Sequence, residues 1–154
     1  ALSSYTAQNL GAKLFDRIKQ LYYSVLKIGG IITAVISTSI IIFGKYFILA
    51  FIDSESGAEA LVRGTGYLNV VSIFYFLFAI MCITNGLLRG SGNMKAFMTS
   101  TLLNICLRIA FAYLLTPVMG YHSIFWSIPL GWLVASAVSL FSYKKGVWKK
   151  KQVQ

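Results

Sequence analysis

The stretch KIGGIITAVISTSIIIFGK, Lys27 to Lys45, holds seventeen uncharged residues between two lysines. At about 1.5 Å per helical residue that is roughly 26 Å, a little short of the hydrocarbon thickness of a bilayer. Lys27 can snorkel to one face and Lys45 to the other to complete the crossing. A membrane-spanning helix over about 20–44 is therefore predicted, with Tyr46 to Ile52 lying along the far interface.

Three more crossings follow outward from this one. Twenty-five uncharged residues separate Arg63 from Arg89, which is ample for a tilted span over 64–88. Asn93 is a fitting N-cap for a span over 94–115. Thr116-Pro117 is expected to end that helix, because proline disfavours helical backbone in the residue before it. The last span covers 123–143, with Pro129 inside it. Residues 1–12 read as the inner end of a preceding helix, stopped at Gln8-Asn9-Leu10-Gly11. Lys13 to Lys19 form an amphipathic connector, and 144–154 a tail with a short interfacial helix. The predicted fold class is an all-α polytopic transmembrane bundle: four complete spans plus the end of a fifth. The chain opens at Ala1 without a targeting segment and reads as a piece of a longer protein.

The charges set the orientation. Of the fourteen Lys and Arg residues, eleven fall in alternate gaps: Lys13 to Lys27, Arg89 to Lys95, and Lys144 to Lys151. The intervening gaps are acidic, at Asp53, Glu55 and Glu59, or uncharged, from Thr116 to Ser123. Positive loops stay in the cytoplasm, so both ends of this piece are expected inside a plasma (inner) membrane. Composition agrees: 57% of residues are hydrophobic and 12% charged, against about a quarter charged in soluble domains. Membrane lipid is the expected surrounding partner. The net charge of +10 is split among membrane-flanking gaps, which argues against a nucleic-acid partner.

Few residues carry chemistry. Arg108 lies about fourteen residues into a helix otherwise uncharged after Lys95. An intramembrane arginine is costly and normally faces a bundle interior or a wet cavity. It is either a tether to backbone carbonyls or part of a solute path. Asn69, Asn85 and Asn104 are amides within spans, either interhelical glue or cavity contacts. Pro129 frees a carbonyl and can act as a gating hinge or a fixed bend. Cys82 and Cys106 sit in apolar runs without metal-ligand spacing, and the lone His122 falls in an outer loop. No metal site and no cofactor are expected. No carboxylate lies in any span, so a proton or sodium relay would need one from elsewhere. No catalytic pairing or phosphate-cradling loop appears, and no enzyme activity is expected.

Gln8-Asn9-Leu10-Gly11-Ala12 with its basic connector, Leu87-Leu88-Arg89-Gly90-Ser91-Gly92-Asn93, and Asn104 to Pro117 with Arg108 inside together resemble the multidrug and toxic compound extrusion (MATE) transporters. The resemblance covers the chain from the end of the eighth helix through the twelfth. It implies half of a two-lobe transporter, whose partner is a missing N-terminal lobe. It also implies export of small organic, cationic solutes in exchange for protons or sodium. Some members place acidic residues in the second-lobe cavity; these spans have none, so the coupling ion would be bound by the first lobe. Asn69, Tyr75, Asn104 and Arg108 are then the candidates for the cavity wall, and Pro129 for the hinge. Two alternatives stand beside this: a lipid-linked oligosaccharide flippase of the same architecture, and a non-transporting scaffold or degenerate fragment. The piece alone is not expected to transport.

Overall fold

The computed structural model describes residues 2–51 and 57–149, so the acidic turn at Asp53 to Ser56 lies outside the described residues. Six α-helices occur among them: α1 Leu2–Gly11, α2 Phe15–Leu49, α3 Ala58–Ile73, α4 Tyr75–Gly90, α5 Met94–Met119 and α6 His122–Lys144. A single turn of 3-10 helix, Val147–Lys149, follows them. By length and apolarity α2, α5 and α6 can each cross a membrane, and α3 with α4 can make one bent crossing.

Connector and first span are one helix. α2 has 35 residues, about 52 Å of helix, well beyond the hydrocarbon thickness. No glycine or proline interrupts Asp16 to Ile28, so the amphipathic turn runs straight into the apolar one. The excess length also carries Tyr46 and Phe47 upward as continued helix rather than along the interface. Ile18 and Tyr22 are buried, whereas Ile28, Ile31, Val35 and Ile42 remain more than half exposed. In water such a face would be untenable; it is a lipid-facing surface. α2 grips its neighbours where side chains are smallest. A Cβ on Gly29 would stand 2.7 Å from Ile83 Cδ1, and one on Gly64 2.8 Å from Ile48 Cδ1. Small residues at helix contacts are the usual basis of close approach in lipid.

The span expected over 64–88 is broken. α3 and α4 meet at Phe74 with a bend of 52°. Ser37 Oγ donates to the carbonyl of Ser72 at 2.6 Å, taking an acceptor that the helix ladder would otherwise use. The ladder tightens there, with Phe74 N bonded to Val71 O at 3.1 Å and Leu77 N to Phe74 O at 3.0 Å. A side chain inserted into the helical ladder is a recognised cause of a kink.

α4 ends at Gly90, and Asn93 N reaches back to Leu88 O at 3.0 Å. Gly92 provides the left-handed residue, at φ 77°, that this reversal requires. Asn93 then caps α5, its Oδ1 accepting from Ala96 N at 3.1 Å. α5 does not stop at Thr116: Pro117 sits in its last turn and the helix runs to Met119. Pro117 forfeits its bond to the Tyr113 carbonyl, and only two more helical residues follow it. Thr116 Oγ1 also bonds Ala112 O at 2.6 Å, and Gly120 N bonds Thr116 O at 2.9 Å. α6 passes through Pro129 as one helix, with Pro129 buried.

Two cores hold the bundle. At the basic end Ile18, Tyr22, Leu87, Leu88 and Trp148 form a buried cluster. The residues after α6 thus fold into that core, where an interfacial helix was expected, because Trp148 is too apolar to leave in water. At mid-depth Asn85, Ser100 and Ser139 close a ring across α4, α5 and α6. Asn85 Nδ2 donates to Ser100 Oγ at 3.4 Å, Ser100 Oγ pairs with Ser139 Oγ at 2.7 Å, and Ser139 Oγ donates to Asn85 Oδ1 at 2.8 Å. Ser100 Oγ also reaches the Ala135 carbonyl at 3.2 Å, so the three side chains are tied to one another and to the α6 backbone. For Asn85, then, the interhelical glue is what is observed. Asn85→Leu removes two of the three bonds and leaves the two hydroxyls only each other and the Ala135 carbonyl. It is expected to cost about 1–2 kcal/mol, read as a lower melting temperature in detergent, while Asn85→Gln is milder.

Candidate functional site

The site is built on one face of α5. Asn104, Arg108 and Ala112 recur every four residues, so they stack on one side of the helix. Ile105 and Ile109 flank them. α6 returns antiparallel to α5 after the Gly120-Tyr121 turn. The two helices touch where α6 has no side chain. A Cβ on Gly131 would lie 2.8 Å from Asn104 Oδ1, 3.2 Å from the Asn104 carbonyl oxygen and 3.5 Å from Arg108 Cβ. At the other end Thr116 Oγ1 and Ser123 Oγ pair at 3.1 Å. Between these two contacts Ile124 and Ser127 of α6 face α5 across a cleft of about 310 Å³, walled by Asn104, Ile105, Arg108, Ile109 and Ala112.

Two polar groups in this cleft are unspent. Asn104 Oδ1 is buried and accepts no hydrogen bond. Arg108 is exposed, and the ion pairs among the described residues are Lys19 with Asp16 and Arg63 with Glu59. An amide oxygen without a partner normally costs one to a few kcal/mol when buried, and an intramembrane guanidinium as much again. Asn104 Oδ1 is shielded against Gly131 at the edge of the cleft, so it meets a solute or water only when its side chain turns inward, whereas Arg108 is already exposed.

The other sequence-derived candidates lie elsewhere. Asn69 is exposed on α3, and its backbone carbonyl accepts from Ser72 Oγ at 3.1 Å. Tyr75 opens α4 directly after the break, its ring 5.9 Å from that of Trp132. Phe78 lies 5.1 Å from the same indole. The structure therefore brings Asn104 and Arg108 together around one cleft and leaves Asn69 and Tyr75 outside its wall. Trp132 follows Gly131, so one short stretch of α6 serves both the cleft and the aromatic group. Sequence reasoning passed over Trp132 and Ser127, since neither differs from its apolar surroundings by charge or spacing. Pro129 stands between them and leaves the Phe125 carbonyl without its helical donor.

A second polar–aromatic group closes the far end. The Arg63 guanidinium lies 4.6 Å over the Tyr121 ring. Tyr121, His122 and Phe125 pack edge and face within 4.0–5.9 Å of one another. His122 is thus part of an aromatic girdle, and no group of three or more metal-ligating side chains occurs among the described residues.

Antiparallel apolar helices, lipid-facing outer surfaces, a broken span and a polar cleft at depth define a multi-pass membrane protein. The MatE family model matches residues 1–114, and the chain belongs to that family. The match takes in α5 past Arg108, and α6 lies beyond it. The chain is also similar to the probable multidrug resistance protein YoeA of Bacillus subtilis (strain 168), at 28% identity over 160 residues. That alignment covers 99% of this chain and 33% of the relative, so the chain spans about a third of the relative's length. No solved structure matches the chain significantly.

Proposed function

We propose that this chain forms the second-lobe portion of a cation-coupled antiporter that exports organic, cationic solutes across a plasma membrane. The observation that carries the reading is the α5–α6 cleft, with its unpaired Asn104 Oδ1 and its unpaired Arg108. The similarity to a probable multidrug resistance protein supports it. A flat, amphiphilic cation would lie against Ile105, Ile109 and Ile124 and donate an N–H to Asn104 Oδ1 once that side chain turns from Gly131 into the cleft. The guanidinium of Arg108 would stack on the solute's aromatic face rather than pair with it, as planar guanidinium groups do. Of the chain's carboxylates, Asp16 and Glu59 sit in the first turns of α2 and α3 and Asp53 and Glu55 in the sequence between those helices, so none falls within an uncharged apolar run. The proton or sodium ion would therefore bind in the other lobe, and rocking of the two lobes would couple the sites. Both ends of this piece face the cytoplasm in this reading, by the distribution of lysine and arginine. No step needs a catalytic group.

The test is export of an ethidium-like dye from cells making the full-length protein. Export abolished by uncoupler or by sodium removal is expected. Asn104→Ala is expected to slow it about tenfold at unchanged membrane abundance, the loss of roughly one hydrogen bond in the loaded state. Dye accumulation that ignores both uncoupler and sodium contradicts the proposal. Arg108 favours a second reading, a flippase for a pyrophosphate-linked lipid, because a guanidinium suits an anionic group. Complementation of a flippase-deficient strain separates the two.

A further inference from the structure

The basic end of the bundle carries a second hollow, apart from the α5–α6 cleft. It encloses about 170 Å³ and is lined by Lys19, Tyr23, Tyr143, Lys144, Trp148 and Lys149. We propose that it holds the phosphate of an anionic phospholipid headgroup. This inference rests on the membrane fold alone and is independent of what the protein transports.

The geometry is built by the end of α6. Gly146, at φ 68°, reverses the chain. Gly146 N bonds Tyr143 O at 3.0 Å, and Lys149 N bonds Gly146 O at 3.0 Å. Trp148 is pinned in the core at 2% exposure, its indole Nε1 donating to Tyr143 O at 3.2 Å. With Trp148 fixed inward, its neighbour Lys149 and the last-turn Lys144 both line the hollow. Lys19 and Tyr23, one turn apart on α2, form the opposite wall. Three lysines thus line one small hollow, with Lys149 Nζ 5.7 Å from the centre of the Trp148 ring. The compensating carboxylate is Asp16, whose Oδ1 accepts from Lys19 Nζ at 3.1 Å on the exposed surface. Lys144 and Lys149 remain without a carboxylate partner among the described residues, and their charges outweigh the partial negative charge at the end of α6.

A lipid fits this site better than a free anion. The hollow opens beside exposed apolar surface: Tyr23 is 54% exposed, Ile28 57% and Phe141 59%. Acyl chains can continue from a phosphate held by the lysines along these residues into the hydrocarbon. Basic pockets between membrane helices are the usual form of anionic-headgroup recognition.

The experiment uses the full chain purified in neutral detergent, titrated with phosphatidylglycerol, phosphatidylcholine or inorganic phosphate, with bound lipid counted by native mass spectrometry. Phosphatidylglycerol is expected to be retained in preference to phosphatidylcholine. The double variant Lys144→Gln, Lys149→Gln is expected to weaken that retention about tenfold to thirtyfold, near the worth of two surface charges. Lys144→Arg with Lys149→Arg keeps it, and Lys45→Gln at the far end leaves it unchanged. Both altered lysines are exposed, so an unchanged lipid-free melting temperature confirms that the variants fold. Equal retention of phosphatidylglycerol by the Gln variant overturns the proposal. So does displacement of the lipid by an equal concentration of inorganic phosphate, which would mark a site for soluble anions.

Discussion

Trp148→Ala is expected to destabilise the bundle by about 3–5 kcal/mol, the range for truncating a large buried aromatic. The indole is 2% exposed and makes three kinds of contact. It stacks nearly parallel on Tyr143 at 5.7 Å, and Phe15 meets it edge-on at 6.2 Å. Its N–H is bonded to the Tyr143 carbonyl. Tyr143 in turn stacks on Tyr22 at 4.4 Å, and the Tyr22 hydroxyl pairs with Thr84 Oγ1 at 2.8 Å. Removing the indole therefore loosens α2, α4 and α6 together. This core lies at the basic end of the bundle, where water can reach a cavity, so the full hydrophobic penalty applies. Aromatic pairs add about 0.5–1.5 kcal/mol beyond area burial, which is why Trp148→Phe should recover most of the loss. Thermal unfolding in detergent measures both. A Trp148→Ala protein as stable as its parent would show that the last turn does not dock.

Gly90→Ala should have the next largest effect on stability, about 1–3 kcal/mol from overpacking. A Cβ at Gly90 would fall on the backbone carbonyl of Ser3, and 2.7 Å from Ser3 Cα. These are backbone atoms, so no rotamer change relieves the clash. α1 must move off α4, and Leu2, which covers Gly86, moves with it. Faster hydrogen exchange across α1 with little change in α5 and α6 is the expected signature. Gly30→Ala is the control: nothing stands within 4 Å of its Cβ, and alanine favours the helix by about 1 kcal/mol. Equal behaviour of the two variants would contradict the close α1–α4 packing.

What could be read from the sequence follows from which forces leave local marks. Charge is excluded from hydrocarbon, so Lys27, Arg63, Arg89 and Lys95 delimit the apolar runs that became α2, α3 with α4, and α5. Asn93 announced itself as a cap because capping is a local interaction. The break at Phe74 did not, since its cause is Ser37, thirty-five residues away. Trp148 was hidden for a similar reason: lysines on both sides suggested a solvated tail, and only the tertiary fold offers the indole a core. Pro117 does not stop α5 at Thr116, because the helix forfeits one bond there and closes three residues later, with Gly120 N on the Thr116 carbonyl. At the candidate site Arg108 stood out by charge and Asn104 by its polarity in a span. The α6 side of the cleft, Ser127 and Gly131, gave no signal, since small residues mark close helix contacts without saying which helix they meet. Asn69 and Tyr75, named with Asn104 and Arg108 as cavity-wall candidates through the family resemblance, lie on α3 and α4, away from this cleft.

The cleft as a solute path is tested most directly by thiol accessibility at position 112. Ala112 lines the cleft, while the exposed Cys82 and Cys106 would be replaced by serine. In cells making the full-length protein, Ala112→Cys should react with a membrane-impermeant maleimide, and an exported cationic dye should slow that reaction. Labelling whose rate is indifferent to the dye, or a thiol that no aqueous reagent reaches from either side, would contradict a solute path between α5 and α6.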